Sequence, residues 1–176
     1  MKIMLILVSP LAVLISGTTA RGEDMTTDSV EGNKSVVLRY LKDVLEAGNI
    51  NLMEELFAPD VVIHRPEGTL SNLSQIKAIY KMVLSQGGIE TTVHDIFGTE
   101  DRVAVRISHK SIFPEGEMTR SRLGFHKVPG KAVTWDAIAI FRLKDGKIVE
   151  EWVQLDDLGR LMQFGTVSLL SFQQQK

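Results

Sequence analysis

Trp152-Val-Gln-Leu-Asp156-Asp157-Leu-Gly-Arg-Leu-Met-Gln163-Phe-Gly165 decides how this chain folds. It reads as a last β-strand that carries Asp156 to its end, where a short helix begins. Just upstream, Phe141-Arg142-Leu-Lys-Asp145-Gly146-Lys147-Ile148-Val-Glu150-Glu151 is a hairpin feeding that strand. Alternation of large apolar and acidic side chains suits the wall of a half-buried cavity. A carboxylate on such a wall becomes an acid or base when burial shifts its pKa.

The hairpin turn fixes which side chains accompany Asp156. A three-residue loop with Gly146 left-handed pairs Arg142 with Ile148. Thr134, Asp136, Ile138, Ile140 and Arg142 then share a face with Glu150, Trp152, Gln154 and Asp156. The opposite face becomes Trp135, Ala137, Ala139, Phe141, Val149, Val153 and Leu155. A two-residue loop sets Trp135 and Phe141 beside Trp152 and Asp156 instead. The first arrangement separates polar from apolar residues and is the expectation. Its apolar face needs cover from helices or a second subunit, so a homodimer is expected.

Working outward, the pattern changes along the chain. Val37, Tyr40, Leu41, Val44 and Leu45 make the stripe of a core-facing helix over Ser35 to Ala47, ended by Gly48. A short helix capped by Asn51 follows to Phe57, then a brief strand from Val61 to His64. Ser71 caps a third helix with Leu73, Ile76, Ile79, Tyr80 and Val83 inward. From Thr91 the period becomes two. Strands are expected at Thr91 to Ile96, Arg102 to Ile112, Met118 to His126, Ala132 to Leu143 and Lys147 to Asp156, with Gly and Pro turns between them. Helices first and antiparallel strands afterwards means an α+β fold.

The segment from Phe141 to Gly165 resembles the C-terminal signature of the SnoaL-like polyketide cyclases. The matching features are Arg142, Asp145-Gly146-Lys147-Ile148, Trp152, Asp156, Leu161, Gln163 and Gly165, with Phe164 in place of a Leu. Weaker similarity runs back to Asn33 and includes His64-Arg65-Pro66. The resemblance implies the cone-shaped α+β barrel of nuclear transport factor 2 and its relatives, three N-terminal helices packed on a curved antiparallel sheet. It also implies that Asp156 is the acid/base of a cofactor-free enzyme, a cyclase, isomerase or dehydratase. The family's His on the preceding strand is replaced by Arg142. Asp60 to Gly68 is similar to the loop that holds the catalytic Asp of ketosteroid isomerases, with Arg65 in that place. The Arg-x-Asp strand pair of limonene epoxide hydrolases is absent.

Candidate roles divide accordingly. Asp156 is either the cap of the helix from Leu158 to Gln163 or a pocket carboxylate; Asp157 can cap equally well, and the resemblance assigns Asp156 to the pocket. His64, at a strand end before Pro66, is the second candidate proton carrier. Arg142, Trp152, Asp136 and His109 are candidate substrate-binding residues, His109 being either a buried structural residue or a cavity donor. His94 and His126 read as peripheral. No His pair has metal-ligand spacing, so no metal is expected, and positioned acid/base groups in a dry pocket need no cofactor. The alternative function is a binding protein that holds a small apolar ligand in the same pocket without turning it over.

Length and composition bound the rest. A chain of 176 residues fits one domain. A formal charge of −2 offers no basic footprint for nucleic acid. Residues 1–20 read as a signal peptide: Lys2, an apolar stretch to Ile15, then Thr18-Thr19-Ala20 before the polar Arg21. Its ~13 apolar residues fall short of the ~20 that span a bilayer, so no stable membrane span is expected. Export after cleavage near Ala20 is the expectation. Residues 21–33 read as a flexible leader, 34–165 as the domain and 166–176 as a tail. The chain has no cysteine, so its core holds without disulfides.

Overall fold

The computed structural model describes residues 29–85, 87–116, 118–128 and 130–168. The expected signal peptide, most of the leader and most of the tail lie outside them.

Helix α1 (Val30–Arg39) continues as a π-helical segment, Tyr40–Glu46. Ser29 caps it by accepting a 3.0 Å bond from the Gly32 amide. Residues 29–33 are therefore the first turn of the helix and not a leader, and Asn33 is buried, its Nδ2 donating to the Glu100 carbonyl at 2.7 Å. A single 3-10 turn, Ile50–Leu52, leads into α2 (Met53–Leu56).

Strand β1 (Phe57–Arg65) starts earlier than the sequence suggests. Pro59 sits where its register shifts, between Phe57 and Val62, a position that tolerates a residue without an N–H. β2 (Gly68–Ser71) folds back on β1, and α3 (Leu73–Ser85) follows. The α3 start is capped by Asn72, not Ser71: Asn72 Oδ1 accepts from the Ser74 amide at 2.9 Å. Leu73, Ile76 and Tyr80 of α3 are buried, whereas Val83 is exposed.

β3 (Ile89–Gly98), β4 (Arg102–Ile112), β7 (Ala132–Lys144) and β8 (Lys147–Leu155) form the body of the sheet. Met118 to His126 is not one strand but a separate hairpin, β5 (Met118–Ser121) and β6 (Gly124–Lys127). The main sheet has the order β2-β1-β8-β7-β4-β3, antiparallel throughout except for β1 beside β8. The fold is a mixed α+β cone, a curved six-stranded sheet with the helices packed on one face.

The core lies between the helices and that face. Val37, Tyr40, Leu41 and Val44 meet Val103, Val105, Ile107, Ala139 and Phe141. The β7–β8 turn differs from the expected loop. Asp145 (φ 52°) and Gly146 (φ 70°) make a two-residue turn of the kind that favours positive φ at both positions. A bulge then absorbs Val149, so that Leu143 pairs with Ile148 but Arg142 pairs with Glu150. That extra residue restores the parity a shorter loop had reversed. Arg142, Ile140 and Ile138 therefore share a face with Glu150, Trp152 and Gln154, as expected.

Helix α4 (Asp157–Phe164) closes the chain, ended by Gly165 in the left-handed conformation (φ 78°). Gln163 fastens it to β7, bonding the Thr134 amide at 3.0 Å and the Thr134 carbonyl at 2.6 Å. Among the described residues no helix is long and apolar enough to cross a membrane.

Candidate functional site

Most of the expected pocket residues stand on the outer side of the sheet. The face bearing Arg142, Glu150 and Trp152 points away from the helices, and the apolar face lines the interior of the cone. This corrects the placement of most candidate residues.

Asp156 ends β8 outside the interior. It is exposed and caps α4, its Oδ1 accepting from the Gly159 amide at 2.8 Å. Gly159 leaves room for this cap, because a Cβ would lie 2.1 Å from Asp156 Oδ2 and push the carboxyl aside. Asp157 does not take the cap: its carboxylate holds Arg160 at 2.5 Å and the Arg122 amide at 3.1 Å. The capping role weighed for Asp156 is the one the geometry adopts.

His64, Arg142 and Trp152 do come together, but on the outer face. His64 Nε2 lies 2.9 Å from Glu150 Oε1, and Arg142 donates to Glu150 Oε2 at 2.7 Å. These two bonds, Arg142's first, hold the Glu150 carboxyl below its ordinary range. The His64 ring stacks on Trp152, 5.5 Å between centroids, and Arg102 lies 5.4 Å from the same indole. Asp136 is exposed on the outer face too and accepts from Ser108 Oγ at 2.6 Å. Three same-face steps along β7, roughly 20 Å, separate it from Arg142.

His109 alone among these candidates faces the interior. Its Nδ1 is 3.0 Å from Thr91 Oγ1, and its ring lies 5.4 Å from that of Trp135. Burial, with a smaller push from Arg65, lowers its pKa to about 4, so it is neutral at ordinary pH.

The interior holds a cluster that the sequence reading passed over. Glu151 is 4% exposed, pairs with Phe141 across β7 and lies beside Ile63 on β1. Its Oε2 has no hydrogen-bond partner among the described residues. Burial raises its pKa to about 7, opposed by Arg65. Tyr40 and Tyr80 join hydroxyls at 2.7 Å, and Arg65 Nη1 reaches the Tyr80 hydroxyl at 3.4 Å. Phe57 and Phe141 fix the Tyr40 ring from two sides, with centroids at 4.9 and 5.9 Å. Both phenols are pushed up by burial and then by Glu151. Arg65 donates to Glu67 Oε1 at 2.7 Å, while Glu67 Oε2 is buried with no partner among the described residues. Against the cost of burial, Tyr80, Glu67 and Glu151 keep the guanidinium charged.

This set has the parts for proton transfer: a carboxyl poised near neutrality, two buried phenol donors and a fixed cation. Arg65 and Glu67 are its most solvent-accessible charged members and form the rim. Two surface clefts, of about 400 and 340 Å³, border the helices elsewhere and include none of these groups. Among the described residues no group of three or more His, Asp or Glu gathers at metal-holding positions.

One signal for Glu151 was present in the sequence. On β8 it alternates with Val153 and Leu155, so it is an acid in the apolar register. Tyr40 and Tyr80 carried no such signal, since each fits a helical core stripe.

Comparison with known proteins supplies the frame. A model of the SnoaL-like domain matches residues 37–151. No curated protein matches the sequence. Among solved structures the fold resembles AclR of Streptomyces galilaeus, described as a candidate hydroxylase. The pair share 23% identity and a TM-score of 0.66, covering 80% of this chain and 100% of that one. A candidate SnoaL-like polyketide cyclase from Jannaschia sp. CCS1 is 17% identical with a TM-score of 0.65, covering 79% and 95%. An LEH-like epoxide hydrolase of M. tuberculosis is 13% identical with a TM-score of 0.62, covering 81% and 96%. At these identities the likeness is one of fold.

Proposed function

This chain belongs to the SnoaL-like domain family, and on that footing we propose that it is a cofactor-free acid/base enzyme whose proton carrier is Glu151. The observation that carries the reading is a buried carboxyl, one oxygen of which has no partner among the described residues, held near neutral pKa inside the cone. Fold alone does not specify chemistry; that group and its neighbours do.

The substrate class follows from the lining. Phe57, Phe141 and Ile63 are fully buried around the polar cluster, which suits a small hydrophobic carbonyl compound. Ionised Glu151 takes a proton from the carbon next to the carbonyl. Tyr80 and Arg65 stabilise the negative charge that develops on the carbonyl oxygen. Returned to a different carbon, that proton completes an isomerisation; given to the oxygen of a second carbonyl as the enolate carbon bonds to its carbon, it completes an aldol cyclisation; given to a β-hydroxyl as its C–O bond breaks, it leaves as water in a dehydration. The cycle moves only protons between substrate and protein. Entry to Glu151 requires the Arg65–Glu67 pair or Tyr80 to shift.

The same reading includes export after cleavage near Ala20, on the strength of the N-terminal sequence. It also includes a homodimer built on the outer face. There Phe97, Ala104, Ile140, Trp152 and His64 form one continuous row across five strands, with Phe97 and Ile140 exposed. An apolar row flanked by charged ones suits a self-complementary interface.

The test is to extract and identify by mass spectrometry the ligand that copurifies with the protein, then to assay that compound with Glu151→Gln. Turnover lost with affinity kept supports the enzyme. Unaltered turnover refutes Glu151 as proton carrier. Absence of turnover in the unaltered protein, with affinity dependent on Glu151, moves the assignment to the non-catalytic binding protein.

A further inference from the structure

The β5–β6 hairpin contributes nothing to the interior cluster, yet its composition departs from that of the rest of the chain. From Met118 to Trp135 the sequence has Arg120, Arg122, Lys127 and Lys131 and no acidic residue, within a chain of net charge −2. All four cations are exposed. Leu123 and Phe125, at the tip, are each 69% exposed, more than any other large hydrophobic side chain among the described residues. Phe125 pairs directly with Arg120, so ring and guanidinium stand on one face. Lys127, two residues on, shares it.

The other face is tied down. Ser121 is buried, its Oγ 2.7 Å from His126 Nε2. Asp157 accepts from the Arg122 amide, and Arg160 donates to the Arg120 carbonyl at 3.1 Å. Arg122 Nε reaches the Pro66 carbonyl at 3.4 Å, which sets the tip beside the Arg65–Glu67 rim. The hairpin is thus a fixed wedge with a greasy point and a basic flank. Asp157 and Glu67, which border it, are engaged by Arg160 and Arg65, and Glu115 packs against Gly130 at the base of the hairpin.

We propose that this hairpin docks the domain onto an anionic phospholipid bilayer, with Leu123 and Phe125 entering the headgroup–acyl boundary and Arg120 and Lys127 meeting lipid phosphates. A stable protein partner needs a face of roughly 800 Å² on each side. Two bulky side chains at a two-residue turn offer only a point. A bilayer accepts a convex wedge of that size, and its phosphates complement the cations. Docking of this kind also brings the rim to the phase where an apolar ligand concentrates; that consequence rests on the proposed function, whereas the docking itself does not.

The chain has no cysteine, so Leu123→Cys in the full chain carries a single environment-sensitive dye at the tip. Dye emission shifts to the blue with phosphatidylglycerol vesicles and responds about tenfold more weakly to phosphatidylcholine vesicles. Arg120→Gln and Lys127→Gln each weaken the response to phosphatidylglycerol roughly fivefold. Circular dichroism checks that the fold persists in each variant. Emission unchanged by both vesicles overturns the proposal, and so does a shift indifferent to lipid charge. A shift that grows with protein concentration in the absence of vesicles gives the tip to a second copy of the chain and also overturns it. No substrate enters this experiment, so its failure leaves the assignment of Glu151 untouched.

Discussion

Phe141 and Glu151 are direct partners across β7 and β8, so a carboxyl group occupies the same buried row as one of the largest rings of the core. Such a placement is costly for a charged group and is compensated only in part by Arg65. Glu151 therefore keeps its proton to about pH 7. If Glu151 works as the proton carrier, substituting Gln lowers kcat by two or more orders of magnitude while ligand affinity changes little. A pH–rate profile of the unaltered enzyme has a limb near pH 7, and the variant lacks it. An unchanged limb in the variant assigns the proton to another group.

Tyr40 and Tyr80 share a single buried hydrogen bond. Tyr80→Phe leaves the Tyr40 hydroxyl without that partner and costs about 1–2 kcal/mol in urea unfolding. Tyr40→Phe costs a similar amount. The double variant costs less than the sum, because the second change removes a hydroxyl already orphaned by the first. Additive costs show that the two phenols do not depend on each other.

Asp156 and Gly159 form one device at the start of α4. Asp156→Ala removes the cap and lowers stability by about 1 kcal/mol, while Asp156→Asn, an equally good cap, is close to neutral. Gly159→Ala forces the Asp156 carboxyl aside and has a comparable effect. Activity survives Asp156→Asn, since the group lies outside the interior. A variant that is stable but inactive restores Asp156 to the chemistry.

These outcomes bear on how far the sequence could be read. Alternation on β4 and β7 identified the strands and their buried faces, since period two is a strong signal where one face is covered. The family signature located the last strand and helix. What failed was the placing of the polar row of β7 and β8 on an enclosed wall: the helices cover the apolar face, and the polar row is the outer one. The apolar list passed from Val149 to Val153 without Glu151, the one acid in that register. The two-residue turn was rejected because it alone reverses the faces. The bulge at Val149 that corrects this is a three-dimensional compensation with no signature in the residues themselves. Arg65 was noticed only as a substitute for an Asp; its guanidinium acquires meaning from Tyr80, Glu67 and Glu151, which are far apart in sequence.

The outer row gives a prediction about assembly. Ile140 lies at its centre, between Ala104 and Trp152. Ile140→Arg places a cation in the middle of the proposed interface and converts a dimer to a monomer in sedimentation equilibrium. The change is on an exposed side chain, so thermal stability of the isolated domain moves little. A native chain that is already monomeric at micromolar concentration rejects the outer-face dimer.

Glu151 and His109 lie inside the same cone with shifts of opposite sense, and their effects on stability oppose each other. Glu151 is raised to about 7. Its contribution is full below the unfolded glutamate value of ~4.3 and is lost as pH rises toward 7. By that linkage its burial costs on the order of 3 kcal/mol at pH 8. His109 is lowered to about 4. Its contribution is full above the unfolded histidine value of ~6.5 and is lost as pH falls toward 4. Between those limits the two slopes largely cancel. Relative to the unaltered chain, Glu151→Gln gains stability as pH rises across this window, and His109→Gln gains it as pH falls. Urea midpoints at pH 4.5, 5.5, 6.5 and 8 measure both slopes. Parallel curves for all three proteins show that neither group titrates differently on folding, and the buried carboxyl then loses its claim to be poised.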